Sequence, residues 1–124
     1  MEMKAIIRFS ELGFFKLVKI GLDNSVEINR ELFNYYIRYL KSLKEYNNEE
    51  TFDVLVETLE KLIANNFNYS ETAENLFIHG NTARYRVALV EKFCKINFKN
   101  SEDQFNMMIA LKLLPLFKKV ESLT

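Results

Sequence analysis

Residues Asn68 to Cys94 read NYSETAENLFIHGNTARYRVALVEKFC, and this stretch decides the fold. Ser70 is placed to cap a helix of two turns that runs to about Phe77, with Ala73 and Leu76 inward. A small residue at position 73 lets a second helix approach closely. Ile78, His79 and Gly80 then read as a three-residue turn. Asn81 is a strong N-cap for the next helix. That helix turns Ala83, Val87, Val90 and Cys94 inward at helical spacing. A short helix, a tight turn and a second helix with a polar, basic N-terminal half make a helix-turn-helix pattern within 70–94.

The chemistry of the outer face follows from that spacing. With Ala83, Val87, Val90 and Cys94 inward, Thr82, Tyr85, Arg86 and Leu89 lie outward. A helix of this kind enters the DNA major groove N-terminus first. Arg86 can bond a guanine edge or a phosphate, in either case through two N–H groups. Thr82 can reach a thymine methyl or a phosphate, and Tyr85 can donate to phosphate. Arg84 sits at the flank as a backbone contact. Ser70 and Thr72 on the first helix, His79 in the turn and Asn81 complete the candidate DNA-binding set. Free amides at the start of the second helix also attract a phosphate.

Charge is distributed accordingly. The 124 residues carry no net charge, with 17 Lys/Arg and 17 Asp/Glu. Residues 47–78 hold seven acids against Lys61 alone, whereas residues 79–95 hold Arg84, Arg86, Lys92 and Lys95 against Glu91 alone. A basic segment beside an acidic one suits a localised phosphate contact, not a generally adhesive basic protein.

Outward from this centre the pattern stays helical. Phe52, Leu55, Val56, Leu59, Leu62 and Ile63 recur at i, i+3, i+4 and i+7, with Glu49, Glu50, Asp53, Glu57 and Glu60 on the outer face. That helix stops at Asn65-Asn66. Before it, a helix capped by Asn29 carries Leu32, Tyr36, Leu40 and Leu43 on one face, with Phe33 and Ile37 beside them, and ends near Tyr46. Earlier still, Ala5 to Phe9 is short, apolar and compatible with extended backbone. Ser10 caps a helix to about Ile20, Gly21 takes the left-handed C′ position, and Leu22 to Asn29 is a loop. After the central stretch, Ser101 and Gln104 form a capping box. The helix they open is apolar nearly all round, and Pro115 is expected to end or kink it. Met107, Leu111 and Leu114 form a stripe assigned to a dimer interface. Phe105, Met108 and Ile109 are assigned to the core.

The expected fold is all-α, a small domain of five or six helices. Residues 1–46 form an N-terminal helical segment packing on the core, and 47–124 form the helix-turn-helix domain. Three glycines and one proline among 124 residues, with 48 % hydrophobic content, fit helices joined by short loops around a packed core. Cys94 is the single cysteine, so no internal disulfide forms, and a buried structural thiol is expected. No apolar run approaches the roughly 20 residues of a membrane span. With no signal pattern at the N-terminus, a cytoplasmic chain is expected. His79, the one histidine, has no metal-ligand spacing around it. No catalytic triad, phosphate loop or carboxylate pair can be assembled, so neither catalysis nor a cofactor is expected.

The run Thr72 to His79, then Asn81-Thr82, then Arg84-Tyr85-Arg86 resembles the C-terminal helix-turn-helix domain of PucR/CdaR-type bacterial transcription regulators. The resemblance extends back through Leu55 and Thr58-Leu59 and forward through Ile109-Ala110-Leu111-Lys112, and more loosely includes Glu11-Leu12-Gly13. It implies an all-helical fold and sequence-specific binding of double-stranded DNA. It also implies a small-molecule effector sensed by a region outside these residues. One departure stands out: Gly80 occupies a position where the family usually carries a basic residue, which removes one cation from the turn. The expected function is a DNA-binding domain of a transcription regulator acting as a homodimer, with no membrane partner. The rival is a helical dimerisation or interaction module with a degenerate helix-turn-helix, favoured by the acidic helix and Gly80.

Overall fold

A computed structural model describes residues 30, 31, 33, 34 and 37–123, with side chains as far as Pro115. The expected strand at 5–9, the Ser10 helix, the Gly21 cap and the 22–29 loop lie outside the described residues, as do Leu32 and Tyr36. Residues 1–34 and 35–124 form separate compact units, and the helix-turn-helix pattern lies in the second.

In that second unit a π-helical stretch, Ile37–Lys41, runs into the short helix α1, Ser42–Glu45. Leu40 and Leu43 are buried as their spacing predicts. Tyr39, which the apolar pattern passes over, is buried beside them. Its hydroxyl accepts a bond from Asn106 Nδ2 at 2.9 Å, and its carbonyl accepts one from Cys94 Sγ at 2.8 Å. One tyrosine thus ties three parts of the chain together.

Helix α2, Glu49–Ala64, begins where Asn48 Oδ1 accepts from the Thr51 N–H at 2.7 Å. Phe52, Leu55, Val56, Leu59 and Leu62 are buried, Ile63 is half-buried, and the five acids of the outer face are exposed. Burying one such Leu or Phe contributes about 1.5–3 kcal/mol. The helix closes at Asn65. Asn66 then takes a left-handed φ of 54°, so that the Phe67 N–H reaches back to the Leu62 carbonyl at 2.7 Å.

Helix α3 spans Tyr69–Leu76, and its cap is Asn68, not Ser70. Asn68 Oδ1 accepts from the Glu71 N–H at 3.0 Å, which leaves Ser70 exposed inside the first turn. Helix α4 spans Gly80–Cys94, and its cap position is His79, not Asn81. The His79 carbonyl already accepts from the N–H groups of Thr82 and Ala83, at 3.0 and 3.1 Å. Asn81 therefore lies inside the helix. The turn is correspondingly Phe77 to His79.

Helix α5 spans Ser101–Leu123. Two of its expected features are corrected. Asn100, not Ser101, caps it: its Oδ1 accepts from the Glu102 N–H at 2.8 Å, and its carbonyl accepts from the Gln104 N–H. Gln104 instead donates its side-chain amide to the Phe98 carbonyl at 2.6 Å. Pro115 neither ends the helix nor stands near its end, since eight further helical residues follow. Inside a helix proline removes one backbone donor and its ring crowds the carbonyl four residues earlier, which is the physical ground for the kink expected there.

The faces of α5 are also the reverse of the expectation. Met107, Leu111 and Leu114 are buried together with Ala110 and Leu113, while Phe105 is 60 % and Met108 39 % exposed and Ile109 is half-buried. An apolar helix offers two candidate faces to periodicity, and Ala110 and Leu113 extend the 107–111–114 side into the wider one. The stripe assigned to a dimer interface is core. No strand occurs among the described residues, which form an all-α fold. Among them no helix is long and apolar enough to cross a membrane, and no cluster of His, Cys, Asp and Glu could hold a metal.

Candidate nucleic-acid interface

Helices α3 and α4 are held close by Ala73 on one side and Ala83 on the other, both buried. Between them Phe77 adopts a left-handed backbone, φ 56° and ψ 43°. Its N–H bonds the Glu74 carbonyl at 3.2 Å and the Ile78 N–H bonds the Ala73 carbonyl at 3.0 Å. Both bonds are those of a Schellman closure, made here with phenylalanine where glycine is usual. The Phe77 side chain is 95 % exposed.

The turn is braced from α2. Asn65 Nδ2 donates to Asn75 Oδ1 at 2.9 Å and lies 3.5 Å from Thr72 Oγ1. The Thr72 hydroxyl donates to the Asn68 carbonyl at 2.7 Å. Thr72 is fully buried and its hydroxyl is committed, so it is a structural residue, not a surface donor. That corrects its place in the candidate set. Asn65 is legible in the sequence only as a helix end; its partner Asn75, ten residues on, and the cap made by Asn68 leave no mark in periodicity.

Ala83, Val87, Val90 and Cys94 are buried as expected. The side of α4 farthest from them carries Asn81, Tyr85, Ala88 and Lys92, all exposed, with Tyr85 at 65 %. Ala88 and Lys92 complete this stripe and stand outside the expected set. Helical spacing from Asn81 and Tyr85 is the signal that finds them. Arg84 is exposed on one flank, its guanidinium carbon 5.6 Å from the centre of the Tyr69 ring. Partial burial, aided by Glu91 and opposed by Arg84, raises the Tyr69 pKa above its ordinary value. The phenol therefore stays protonated and able to donate.

Thr82, Arg86 and Leu89 lie on the other flank and are half-buried. With Tyr85 they face Glu50, Thr51, Val54 and Leu55 of α2 across an open cleft of about 330 Å³. Arg86 Nη1 donates to Thr58 Oγ1 at 3.3 Å. Arg86 is thus placed against α2, not on the outermost stripe. Ser70 and His79 are exposed, and His79 makes no side-chain cap bond to α4. The start of α4 is consequently open to an anion. No carboxylate occurs between Glu74 and Glu91 in the sequence. Seven of the eight candidate residues are thus exposed or half-buried around α4 and the start of α3.

Comparison with known proteins bears on the same segment. Residues 55–113 match the family of the PucR C-terminal helix-turn-helix domain. The chain is 29 % identical over 112 residues to the DNA-binding transcriptional activator AdeR of Bacillus subtilis (strain 168), covering 90 % of this chain and 25 % of that protein. It is 28 % identical over 106 residues to the proline-responsive transcriptional activator PutR of the same organism, covering 86 % and 24 %. The chain therefore spans about a quarter of the length of these curated relatives. No solved structure matches.

Proposed function

From the premise that residues 55–113 are a helix-turn-helix domain of the PucR C-terminal type, we propose that this chain reads a specific duplex DNA sequence with α4 in the major groove. The observation that carries this reading is the stripe Asn81–Tyr85–Ala88–Lys92, exposed on α4 and flanked by Arg84 and Arg86 in a segment free of carboxylates up to Glu91. Asn81 and Tyr85 face the groove floor. Thr82 and Arg86 approach base edges from the α2 side. Arg84, Ser70 and His79 contact phosphates, and the open start of α4 accepts another. Ala88 lets the helix lie close to the bases.

The chain acts as a binding domain, not an enzyme, in a cytoplasmic transcription regulator whose small-molecule effector is sensed outside these residues. The two activators named above support that placement. It works as a homodimer, because a single head covers modest area and paired heads about 34 Å apart gain affinity. Phe105 and Met108, exposed on α5, supply an apolar face for pairing. Sedimentation of the chain and of Phe105→Glu tests this: the wild type associates on DNA and the variant does not, and a wild type that stays monomeric on DNA contradicts it.

The function is tested by a gel-shift series in increasing salt. Sequence-selective shifts that weaken steeply with salt are expected. Absence of any shift at low salt favours the rival reading, an interaction module in which the exposed acids of α2 meet a basic protein.

A further inference from the structure

We propose that Thr58 is a positioning residue for DNA recognition: its buried hydroxyl fixes the Arg86 guanidinium on the α2 side of the reading helix. The inference rests on the reading of α4 as the DNA-contacting helix. Thr58 lies on the inner face of α2 among Phe52, Leu55, Val56, Leu59 and Leu62, and is 1 % exposed. A hydroxyl there is unfavourable unless bonded, and valine fills the same volume without that penalty. Its presence therefore calls for a reason beyond packing.

The hydrogen bonds supply one. A hydroxyl has one donor and two acceptor sites. Thr58 Oγ1 donates to the Val54 carbonyl at 2.8 Å. With its proton so placed, it meets Arg86 only as an acceptor, and Arg86 Nη1 donates to it at 3.3 Å. Among the described residues Thr58 is the one hydrogen-bond partner of that guanidinium. One N–H group is held and four remain for DNA. Thr82, Tyr85 and Leu89 line the same open cleft as Arg86, so the anchored side chain stands beside residues of the reading helix. A flexible arginine loses rotamer freedom when it binds, and anchoring it beforehand reduces that loss.

The test uses the 124-residue chain. A duplex of roughly 20 base pairs, two helical turns, is first selected by the wild type from a randomised pool. Affinities for it and for its single-base variants are then measured with wild type, Thr58→Val, Thr58→Ser, Arg86→Ala and the Thr58→Val/Arg86→Ala double variant. Thr58→Val is expected to lower discrimination at one base position by about 3- to 10-fold, with the salt slope unchanged. Thr58→Ser restores it, and Thr58→Val adds nothing in the Arg86→Ala background. Undiminished discrimination by Thr58→Val, or an equal loss in the Arg86→Ala background, overturns the proposal. Nuclear magnetic resonance of the free wild type gives a readout independent of any variant's folding: hindered rotation of the Arg86 Nη groups is expected, and free rotation overturns the anchor. A wild type that selects no sequence overturns the DNA reading itself, an outcome distinct from the others.

Discussion

Arg86 on α4 reaches Thr58 on α2, 28 residues earlier in the chain, through a 3.3 Å hydrogen bond from Nη1 to Oγ1. The two helices are thereby linked on the flank that borders the reading face. Arg86 can serve recognition from there because it is only half-buried.

Removing that side chain separates recognition from stability. Arg86→Ala is expected to weaken binding to the selected duplex by about 1–3 kcal/mol, the range of one good base contact. Affinity for random DNA should change little. Parallel titrations on both duplexes check this, and equal losses on both would reassign Arg86 to the phosphate backbone.

Gly80 opens a route to stronger binding. Its φ is not positive, and a Cβ built there meets nothing within 4 Å. Gly80→Arg is therefore expected to fold as stably as the wild type, within about 0.5 kcal/mol. It should tighten DNA binding and steepen the log–log salt dependence by about 0.9, the contribution of one further phosphate contact. A folded variant with an unchanged slope would place residue 80 away from the backbone.

Phe77 is the opposite case, a side chain the fold does not need. Left-handed backbone disfavours any residue with a Cβ, and 95 % exposure means that little burial is lost on truncation. Phe77→Gly should stabilise the chain by about 0.5–1 kcal/mol, seen as a higher melting temperature. A lower one would show that the ring packs on the protein.

Cys94 is expected to be inert in the folded state. Burial pushes its thiol up to about 12, and Sγ lies 2.8 Å from the Tyr39 carbonyl. Near pH 8, where an ordinary thiol is partly ionised, an aromatic disulfide reagent should react only after denaturant is added. The raised value also has a linkage sign. Well below pH 9 both states hold the proton; as pH rises through about 9 the unfolded thiol loses it while the folded one keeps it to about 12, so stability falls over that window. Rapid reaction of the native chain would contradict the burial.

Much of this is legible in the sequence, and the omissions have physical causes. The α2 face and the Ala83–Val87–Val90–Cys94 face follow from periodicity, which burial obeys. The caps expected at Ser70, Asn81 and Ser101 lie one or two residues earlier: Asn68 and Asn100 cap as well as serine does, and α4 starts from the His79 backbone with no side-chain cap. The left-handed closures at Asn66, Phe77 and Lys95 carry no glycine, so the usual stop signal is absent. The faces of α5 are inverted because apolar residues occur on both. Within the candidate site, Thr72 and Arg86 differ from expectation for one reason. Each is committed to a partner distant enough in sequence, or hidden enough in the backbone, that spacing alone does not show it.

Competition binding distinguishes an α4 that reads DNA sequence from one that only holds DNA. The chain is held on a labelled duplex of the sequence it selects, and unlabelled selected and scrambled duplexes are titrated against it at about physiological salt, where non-specific contacts weaken. The selected duplex is expected to compete at least about tenfold better, one to two base contacts' worth of discrimination, and Tyr85→Ala to erase most of that margin. Equal competition by the two duplexes, with or without Tyr85, would contradict sequence reading by α4.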